Sequence, residues 1–234
     1  MLRIAIFFIL LLLIGLLLRL YGRHPARAFF IEPITHFSTS EQQIALTFDD
    51  GPSPSLTPAV LDLLAKYQLK ATFFVNGNKL EASPAIARRA VAEGHQLANH
   101  TYAHDRMVFQ SPAFMEADLR RTDSLVGRSG EQALSYFRPP FGDKFVVLPL
   151  VLRRLGKPCV NWNVEPEAQY EAPFQKEQFV QQTLAACQPG SIILLHDGWA
   201  IDEPAFLAGV DEILKQLKQK GYSFVRIKDV VAAQ

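Results

Sequence analysis

Hydrophobic positions beyond residue 43 fall into short apolar runs that are separated by longer amphipathic stretches. Short runs rich in β-branched and aromatic residues are typical of buried strands, whereas apolar residues at intervals of three or four predict helices. Several helical stretches begin with proline and end near glycine, as helices commonly do. The predicted strands are 44–48, 71–75, 95–98, 136–138, 159–164, 191–195 and 223–227, and the predicted helices are 58–67, 84–93, 112–126, 145–155, 174–187 and 204–220.

This regular alternation of strand and helix predicts an α/β fold with a parallel sheet, because each parallel strand pair needs a crossover connection. About seven repeats favour a closed or nearly closed barrel over an open sheet. Catalytic side chains of such barrels collect at the carboxyl ends of the strands. Polar residues that follow the apolar runs are therefore the first candidates for a functional site.

The N-terminus carries a different pattern, an uncharged apolar stretch over residues 4–18. Its length lies between that of a signal-peptide core and a full bilayer span, which Arg19 could extend by snorkelling. A small-x-small sequence at 26–28 resembles a cleavage site but lies well beyond the apolar stretch. We favour an uncleaved transmembrane anchor over a cleaved signal, with the remaining chain outside the cytoplasm. The predicted division is 1–21 membrane anchor or signal segment, 22–43 linker and 44–234 one catalytic domain.

Composition excludes several functional classes. The chain has 24 Lys and Arg against 23 Asp and Glu, a formal net charge of +1, so it has no general field that would attract nucleic acid. We expect no nucleic-acid partner and no obligate protein partner. The chain has two cysteines, too few for a disulfide scaffold, and whether Cys159 and Cys187 pair is left open.

Two histidines and a pair of aspartates indicate a metal site. His100 and His104 are spaced so that a helical turn would direct both imidazoles to one point. Asp49 and Asp50 follow the first predicted strand, where two adjacent negative charges are costly unless a cation compensates them. Two imidazoles with a carboxylate suit an open divalent site, most often zinc, with cobalt, nickel or iron as alternatives. A surface histidine pair and a capping Asx turn are the structural alternatives.

Two further strand ends carry residues able to do chemistry. Arg138 begins a rigid Arg-Pro-Pro-Phe-Gly corner, in which Phe141 has the first free N–H after two prolines and could stabilise an oxyanion. His196 ends the sixth predicted strand, and its unperturbed pKa of about 6.5 suits proton transfer near neutral pH. A solvated arginine and a packed histidine are the structural alternatives.

Taken together and in this order, the sequences TFDDGP, HTYAH, RPPFG and LLHD resemble the polysaccharide deacetylase family, carbohydrate esterase family 4. The resemblance extends from residue 44 to the C-terminus. It implies a distorted (β/α) barrel and a metal-dependent hydrolase that removes N-acetyl groups from an amino-sugar glycan such as peptidoglycan or a chitin-like polymer. An O-acetyl esterase on acetylated glycan and a non-catalytic glycan-binding protein are the alternatives.

The resemblance also implies a role for eight residues. These are Asp49 as general base, Asp50, His100 and His104 as metal ligands, Arg138 as the residue that holds Asp49, the Phe141 N–H as oxyanion donor, Leu194 as the lining for the acetyl methyl group, and His196 as general acid.

One departure from the family pattern concerns the aspartate that orients the catalytic histidine. Ala168 and Gln169 fall where an aspartate and a tryptophan are expected. Two interpretations of Glu165 and Glu167 stay open: one of them replaces that aspartate through its longer side chain, or both are solvated loop carboxylates. Without a carboxylate beside His196 its pKa would not be raised, and we expect lower activity or an altered substrate range.

Overall fold

A parallel sheet forms the centre of the computed structural model, which describes residues 1–131 and 136–231. Within these residues the sheet has the strand order β3-β2-β1-β4, and β5 pairs with the first half of β1. Thr47 of β1 lies opposite Thr72 of β2 and Leu194 of β4, which places the carboxyl ends of these three strands at the same height. The strands are β1 (Gln43–Asp49), β2 (Thr72–Val75), β3 (Gln96–Asn99), β4 (Ile192–His196) and β5 (Ser223–Val225).

The predicted number of seven strands is wrong for the described residues, because two of the seven segments form only single-residue bridges. Phe137 bridges Asn99 of β3 on one side and Cys159 on the other. Val164 then bridges Ile193 of β4. These parallel bridges continue the path from β3 back to β4, so the sheet closes into a distorted barrel with one weakly paired side.

Prolines explain why these two segments do not form longer ladders. Pro139 and Pro140 directly follow Arg138, and Pro158 directly precedes Cys159. Because proline has no N–H to donate, a ladder cannot continue regularly through these positions. The backbone bonds that remain run from Phe137 N to Pro158 O (3.0 Å) and from Val160 N to Phe137 O (2.8 Å).

The helices lie around the sheet, and all six predicted helices are present with ends within two residues of the predicted ones. Two short helices after β2 and β5 were not predicted, because they are too short for a helical period to stand out. The helices are α1 (Leu2–Arg23), α2 (Leu56–Tyr67), α3 (Gly77–Ala82), α4 (Pro84–Ala92), α5 (Pro112–Arg128), α6 (Val147–Leu155), α7 (Lys176–Ala186), α8 (Glu203–Gln219) and α9 (Ile227–Val231), with 3-10 turns at Pro140–Gly142 and Glu167–Tyr170.

The side chains of β1 point alternately to the outer core and to the interior of the barrel. Ile44, Leu46 and Phe48 pack outward into the core shared with helices α2, α4, α7 and α8. Ala45 belongs to the separate apolar cluster inside the barrel. Because side chains on a strand alternate between the two faces, Asp49 points to the same interior as Ala45 but at the carboxyl end. The two-residue period of the strand therefore places the Asp49 carboxylate at the mouth of the barrel.

The segment between α1 and β1, predicted as a linker, packs against the barrel. Ile34 N donates to Cys159 O (2.8 Å), and Asn161 N donates to Ile34 O (2.7 Å). The Asn161 side chain also donates to Pro25 O (2.7 Å), and the buried Lys144 ammonium donates to His24 O (3.2 Å). This segment therefore covers the side of the barrel that has only single-residue bridges.

Both cysteines of the chain, Cys159 and Cys187, are free thiols.

Within the described residues, α1 is the helix that is long and apolar enough to cross a membrane. The apolar window is Ile6–Arg23, and 6% of it is buried against the rest of the protein. A signal sequence near an N-terminus meets the same criteria of length and hydropathy, so the helix is consistent with either predicted role.

We expect a variant that begins at residue 37 to be less stable than one that begins at residue 20, although both lack the apolar stretch. The shorter variant loses the four bonds described above that His24, Pro25 and Ile34 make, which together contribute about 4 kcal/mol. For a domain of this size the melting temperature should fall by about 10 °C. Differential scanning calorimetry measures it, and equal melting temperatures would show that the segment does not brace the barrel.

Candidate active site

The carboxyl ends of the strands surround a cleft with a volume of about 680 Å³. Seven of the eight residues singled out in the sequence line it, and the eighth, Arg138, lies fully buried beneath it. The N-terminal segment and several aromatic residues complete the walls. The lining residues are Asp49, Asp50, His100, His104, Phe141, Leu194 and His196, together with Arg23, Pro25, Pro139, Trp162, Glu165, Tyr170 and Trp199.

Asp50, His100 and His104 converge on one point in this cleft. Oδ1 of Asp50 lies 3.4 Å from Nε2 of His100 and 3.1 Å from Nε2 of His104. One potential ligand atom from each residue lies within 4.8 Å of the others. Asp50 has a left-handed backbone (φ 70°), which turns its carboxylate toward the histidines just after the strand ends.

The two histidines meet through a loop and not through the helical turn predicted from their spacing. Thr101 (φ 67°) and His104 (φ 59°) both have left-handed backbones, which no helix contains. Asn99 stabilises this loop, since its Oδ1 accepts from Thr101 N at 2.9 Å. Nδ1 of His100 donates to Arg138 O at 2.8 Å, so Nε2 carries the free lone pair that faces Asp50.

The charges in this cluster are mutually dependent. Burial opposes ionisation of Asp50, but the two imidazoles outweigh it and hold its pKa well below the usual range. Burial likewise opposes a charge on His100, yet Asp49 and Asp50 together raise its pKa. Burial and the neighbouring His100 lower the pKa of His104, so this imidazole is ready to act as a neutral ligand.

This donor set fits a divalent metal. The buried Oδ1 of Asp50 has no hydrogen-bond partner, although it faces two imidazole nitrogens. A buried carboxylate oxygen is costly without a partner, and a cation would supply one. Two imidazoles and one carboxylate form a three-ligand set that leaves positions for water and substrate. The same donors suit zinc, cobalt and nickel.

Asp49 lies beside this cluster and is held by Arg138. A guanidinium N–H of Arg138 donates to Oδ1 of Asp49 at 2.6 Å. Oδ2 of Asp49 remains on the side of the cluster, 3.7 Å from Nε2 of His100. Burial raises the pKa of Asp49 despite the attraction of Arg138. One oxygen is thus fixed by the arginine while the other faces the place where a water could bind.

His196 contacts Gln169 and neither of the two glutamates considered as its partner. Nδ1 of His196 lies 3.0 Å from Oε1 of Gln169, whose amide nitrogen faces Leu194 O at 3.5 Å. Glu165 instead accepts from Trp162 Nε1 and from the Tyr170 hydroxyl, both at 2.7 Å.

Glu167 is exposed at the start of a 3-10 turn, away from this pair. That turn places Gln169, and not the expected Ala168, beside His196. The next residue, Tyr170, then lies on the cleft wall.

The neutral amide of Gln169 leaves the pKa of His196 low, because it supplies no negative charge beside the imidazole. Desolvation at the floor of the cleft lowers the pKa of this imidazole to about 4, although Asp50 acts in the opposite direction. Because Nδ1 donates a hydrogen bond to Oε1 of Gln169, Nε2 is the nitrogen that is free to face the cleft. A carboxylate at this position would raise the pKa, and the amide cannot.

Comparison with known proteins then decides the family. The family model for polysaccharide deacetylases matches residues 37–160, more than half of the chain. This chain belongs to the polysaccharide deacetylase family. The resemblance inferred from the four motifs is therefore confirmed.

Other polysaccharide deacetylases match over most of this chain. The peptidoglycan-N-acetylglucosamine deacetylase PgdA of Listeria monocytogenes is 34% identical over 192 residues, which cover 82% of this chain and 39% of that protein. The chain thus spans about two fifths of the length of that relative. A chitooligosaccharide deacetylase of Bradyrhizobium is 37% identical over 159 residues, covering 68% of this chain and 72% of that protein.

A solved structure shows the same fold. The Bc1960 peptidoglycan N-acetylglucosamine deacetylase, in complex with 4-naphthalen-1-yl-N-oxidanyl-benzamide, superposes with a TM-score of 0.78 at 28% identity. The superposition covers 84% of this chain and 91% of that one. An α/β barrel of the polysaccharide deacetylase type is therefore established for this chain.

Sequence reasoning missed several residues of the cleft. Trp199 lies three positions after His196, and this place just beyond a strand end marks it in the sequence as a candidate cleft residue. Gln169 and Tyr170 lie in a 3-10 turn whose register the sequence does not reveal. Arg23 and Pro25 precede the matched region and carry no motif, so no pattern in the sequence indicates them.

We expect Gln169→Glu to raise the pKa of His196, because a carboxylate of the same shape would favour the imidazolium. The imidazolium should then persist to higher pH than in the wild-type protein, where it is lost near pH 4. Histidine Cε1–H signals, followed by NMR over a pH titration, measure the shift.

Gln175→Glu is a matched control, since this exposed glutamine lies outside the cleft. It should leave the His196 titration unchanged. An unchanged titration in Gln169→Glu as well would contradict the pairing of Gln169 with His196.

Proposed function

We propose that this protein is a metal-dependent hydrolase that removes N-acetyl groups from an amino-sugar polysaccharide or oligosaccharide of the peptidoglycan or chitin kind. One observation carries the proposal. Oδ1 of Asp50 faces two imidazole nitrogens, and the carboxylate of Asp49 lies beside them in the same cleft. The activities named for related family members support the same substrate class.

The proposed ligands of the metal are Asp50, His100 and His104. A bound divalent metal supplies a Lewis acid that polarises the acetamide carbonyl and lowers the pKa of a coordinated water. Zinc is the metal we favour, with cobalt or nickel as alternatives on the same donors. His104 is the most exposed of the three ligands, at the edge of the cluster.

Asp49 is the proposed general base. Its Oδ1 is occupied by Arg138, so Oδ2 accepts the proton from the attacking water. The raised pKa of the buried carboxyl favours this transfer, because a base holds a proton better when its pKa is closer to the working pH. Arg138 acts through Asp49, since it is buried and has no exposed surface in the cleft.

The remaining residues have roles at the acetamide and at the leaving amine. The Phe141 N–H is the proposed donor to the oxyanion that develops when the water adds to the carbonyl. Leu194 lines the cleft where the acetyl methyl group would lie. Nε2 of His196 is the proposed donor of the proton that the departing amine needs, since an amine leaves poorly as an anion.

The low pKa of His196 bears on the rate of this reaction. Its imidazolium form is scarce at neutral pH, because the pKa lies near 4. We therefore expect proton donation to the amine to limit turnover. This is the physical basis for expecting lower activity or an altered substrate range.

The location we propose is the outer face of a membrane, with α1 as an uncleaved anchor. The helix is apolar and almost wholly unburied. Its end passes directly into residues that line the cleft, Arg23 and Pro25. Cleavage near residues 26–28 would remove both of these wall residues.

We expect Asp49→Asn to lower deacetylation by roughly 100-fold or more, because it removes the proposed base. The substrates are N-acetylglucosamine oligomers and isolated peptidoglycan, with zinc added. Acetate release gives the rate, and mass spectrometry of the products identifies the deacetylated sugars. Release from O-acetyl esters alone would identify an esterase instead, and glycan binding without acetate release would identify a binding protein.

Removing the metal with a chelator should abolish acetate release, and zinc or cobalt should restore it. His104→Ala should weaken zinc binding by about 100-fold or more, since losing a ligand costs more than losing a residue that supports one. His36→Ala is the matched control, because this exposed histidine lies outside the cleft. Isothermal titration of the metal-free protein measures both affinities, and equal affinities would contradict the ligand set.

A further inference from the structure

Trp199 is a cleft residue with no role in the reaction described above. It lies in the loop between β4 and α8, and 37% of its surface is exposed. Its indole Nε1–H donates to Oδ2 of Asp50 at 3.0 Å. Its ring packs against the His196 imidazole, with centroids 5.1 Å apart and planes at 38°. One side chain thus contacts both a proposed metal ligand and the proposed acid.

The two carboxylate oxygens of Asp50 have different surroundings. Oδ2 accepts the hydrogen bond from Trp199, whereas Oδ1 has no hydrogen-bond partner and faces the two histidines. The carboxylate could otherwise rotate about its last bond and exchange the two oxygens. A fixed donor on one oxygen therefore determines which oxygen is presented to a metal, and it disfavours binding through both.

The backbone keeps Trp199 in this place. Gly198 packs so closely on the Asp50 carbonyl that a Cβ would not fit there. Asp197 N also donates to Asp49 O at 3.1 Å, which ties the start of the loop to the end of β1. The loop that carries Trp199 is thus attached to the two aspartates, so the indole is placed before any metal binds.

We propose that Trp199 is a positioning residue of the metal site, which holds Asp50 in a one-oxygen orientation through its indole N–H and covers His196 with its ring. The proposal rests on the function proposed above, since it assumes that Asp50 is a ligand. The indole N–H acts through Asp50 and needs no contact with the substrate.

Trp199→Phe tests the hydrogen bond, because phenylalanine keeps an aromatic ring beside His196 and removes the N–H. The probe is zinc alone, titrated by calorimetry into the metal-free chain of residues 1–234 in detergent. We expect zinc binding to weaken by about 10-fold, the lower end of the range for residues that support a ligand. The visible absorption of the cobalt-loaded protein should also change, because a released carboxylate alters the coordination.

Trp162→Phe is the matched control. It removes the other tryptophan N–H of the chain, which donates to Glu165 and not to Asp50. Zinc affinity in this variant should remain within about twofold of the wild-type value. That change is much smaller than the loss of affinity expected when a residue that positions a metal ligand is replaced. Thermal unfolding of the metal-free variants verifies that each is folded at the titration temperature.

The outcomes are distinguishable. A wild-type protein that does not bind zinc would overturn the proposed metal site itself. A wild-type protein that binds zinc, with a Trp199→Phe variant that binds equally well and has the same cobalt spectrum, would overturn the positioning role alone. Equal weakening in Trp162→Phe would overturn it as well, since the effect would then be general to the cleft.

Discussion

The buried guanidinium of Arg138 forms hydrogen bonds to both sides of the barrel beneath the cleft. It donates to Asp49 and Thr47 on β1 and to the carbonyls of Val160 and Asn161 on the weakly paired side of the barrel. With no exposed surface, this charge would be very costly without a carboxylate and several acceptors around it. The arginine therefore holds the two sides of the barrel together at the position where longer strand ladders are missing.

The same residue also orders the proposed metal cluster of Asp50, His100 and His104. Its backbone carbonyl accepts from Nδ1 of His100, and its N–H donates to Asn99 O. Asn99 in turn supports the loop that brings His104 next to Asp50. The proposed base and two proposed ligands thus share one support, and we expect their geometry to change together when it is disturbed.

The two proposed proton-transfer groups of the cleft are held in contrasting ways. Asp49 pairs with a permanent cation, yet burial still raises its pKa. His196 pairs with a neutral amide, and desolvation lowers its pKa. Burial thus acts on the two groups in opposite directions, since it raises the pKa of the Asp49 carboxyl and lowers that of the His196 imidazole. The chain thereby departs from a carboxylate–histidine pair while it retains the other parts of the site.

The strand and helix periods of the sequence determine most of this fold. They located all six longer helices of the barrel, and the residues at strand ends located the carboxylates, the imidazoles and the arginine. These predictions succeed because the two-residue period of a strand and the 3.6-residue period of a helix are visible in a short stretch of sequence. The carboxyl ends of parallel strands also lie at the same edge of the sheet. The four motifs in order then identified the family.

Only the tertiary structure decided which side chain pairs with which. Gln169 and not a glutamate contacts His196, because a 3-10 turn sets a register that no local pattern encodes. The two histidines converge through left-handed residues and not through a helix. Trp199 contacts Asp50 across 149 positions of sequence. Such contacts depend on where distant loops come to lie, and hydrophobic periodicity carries no information about that.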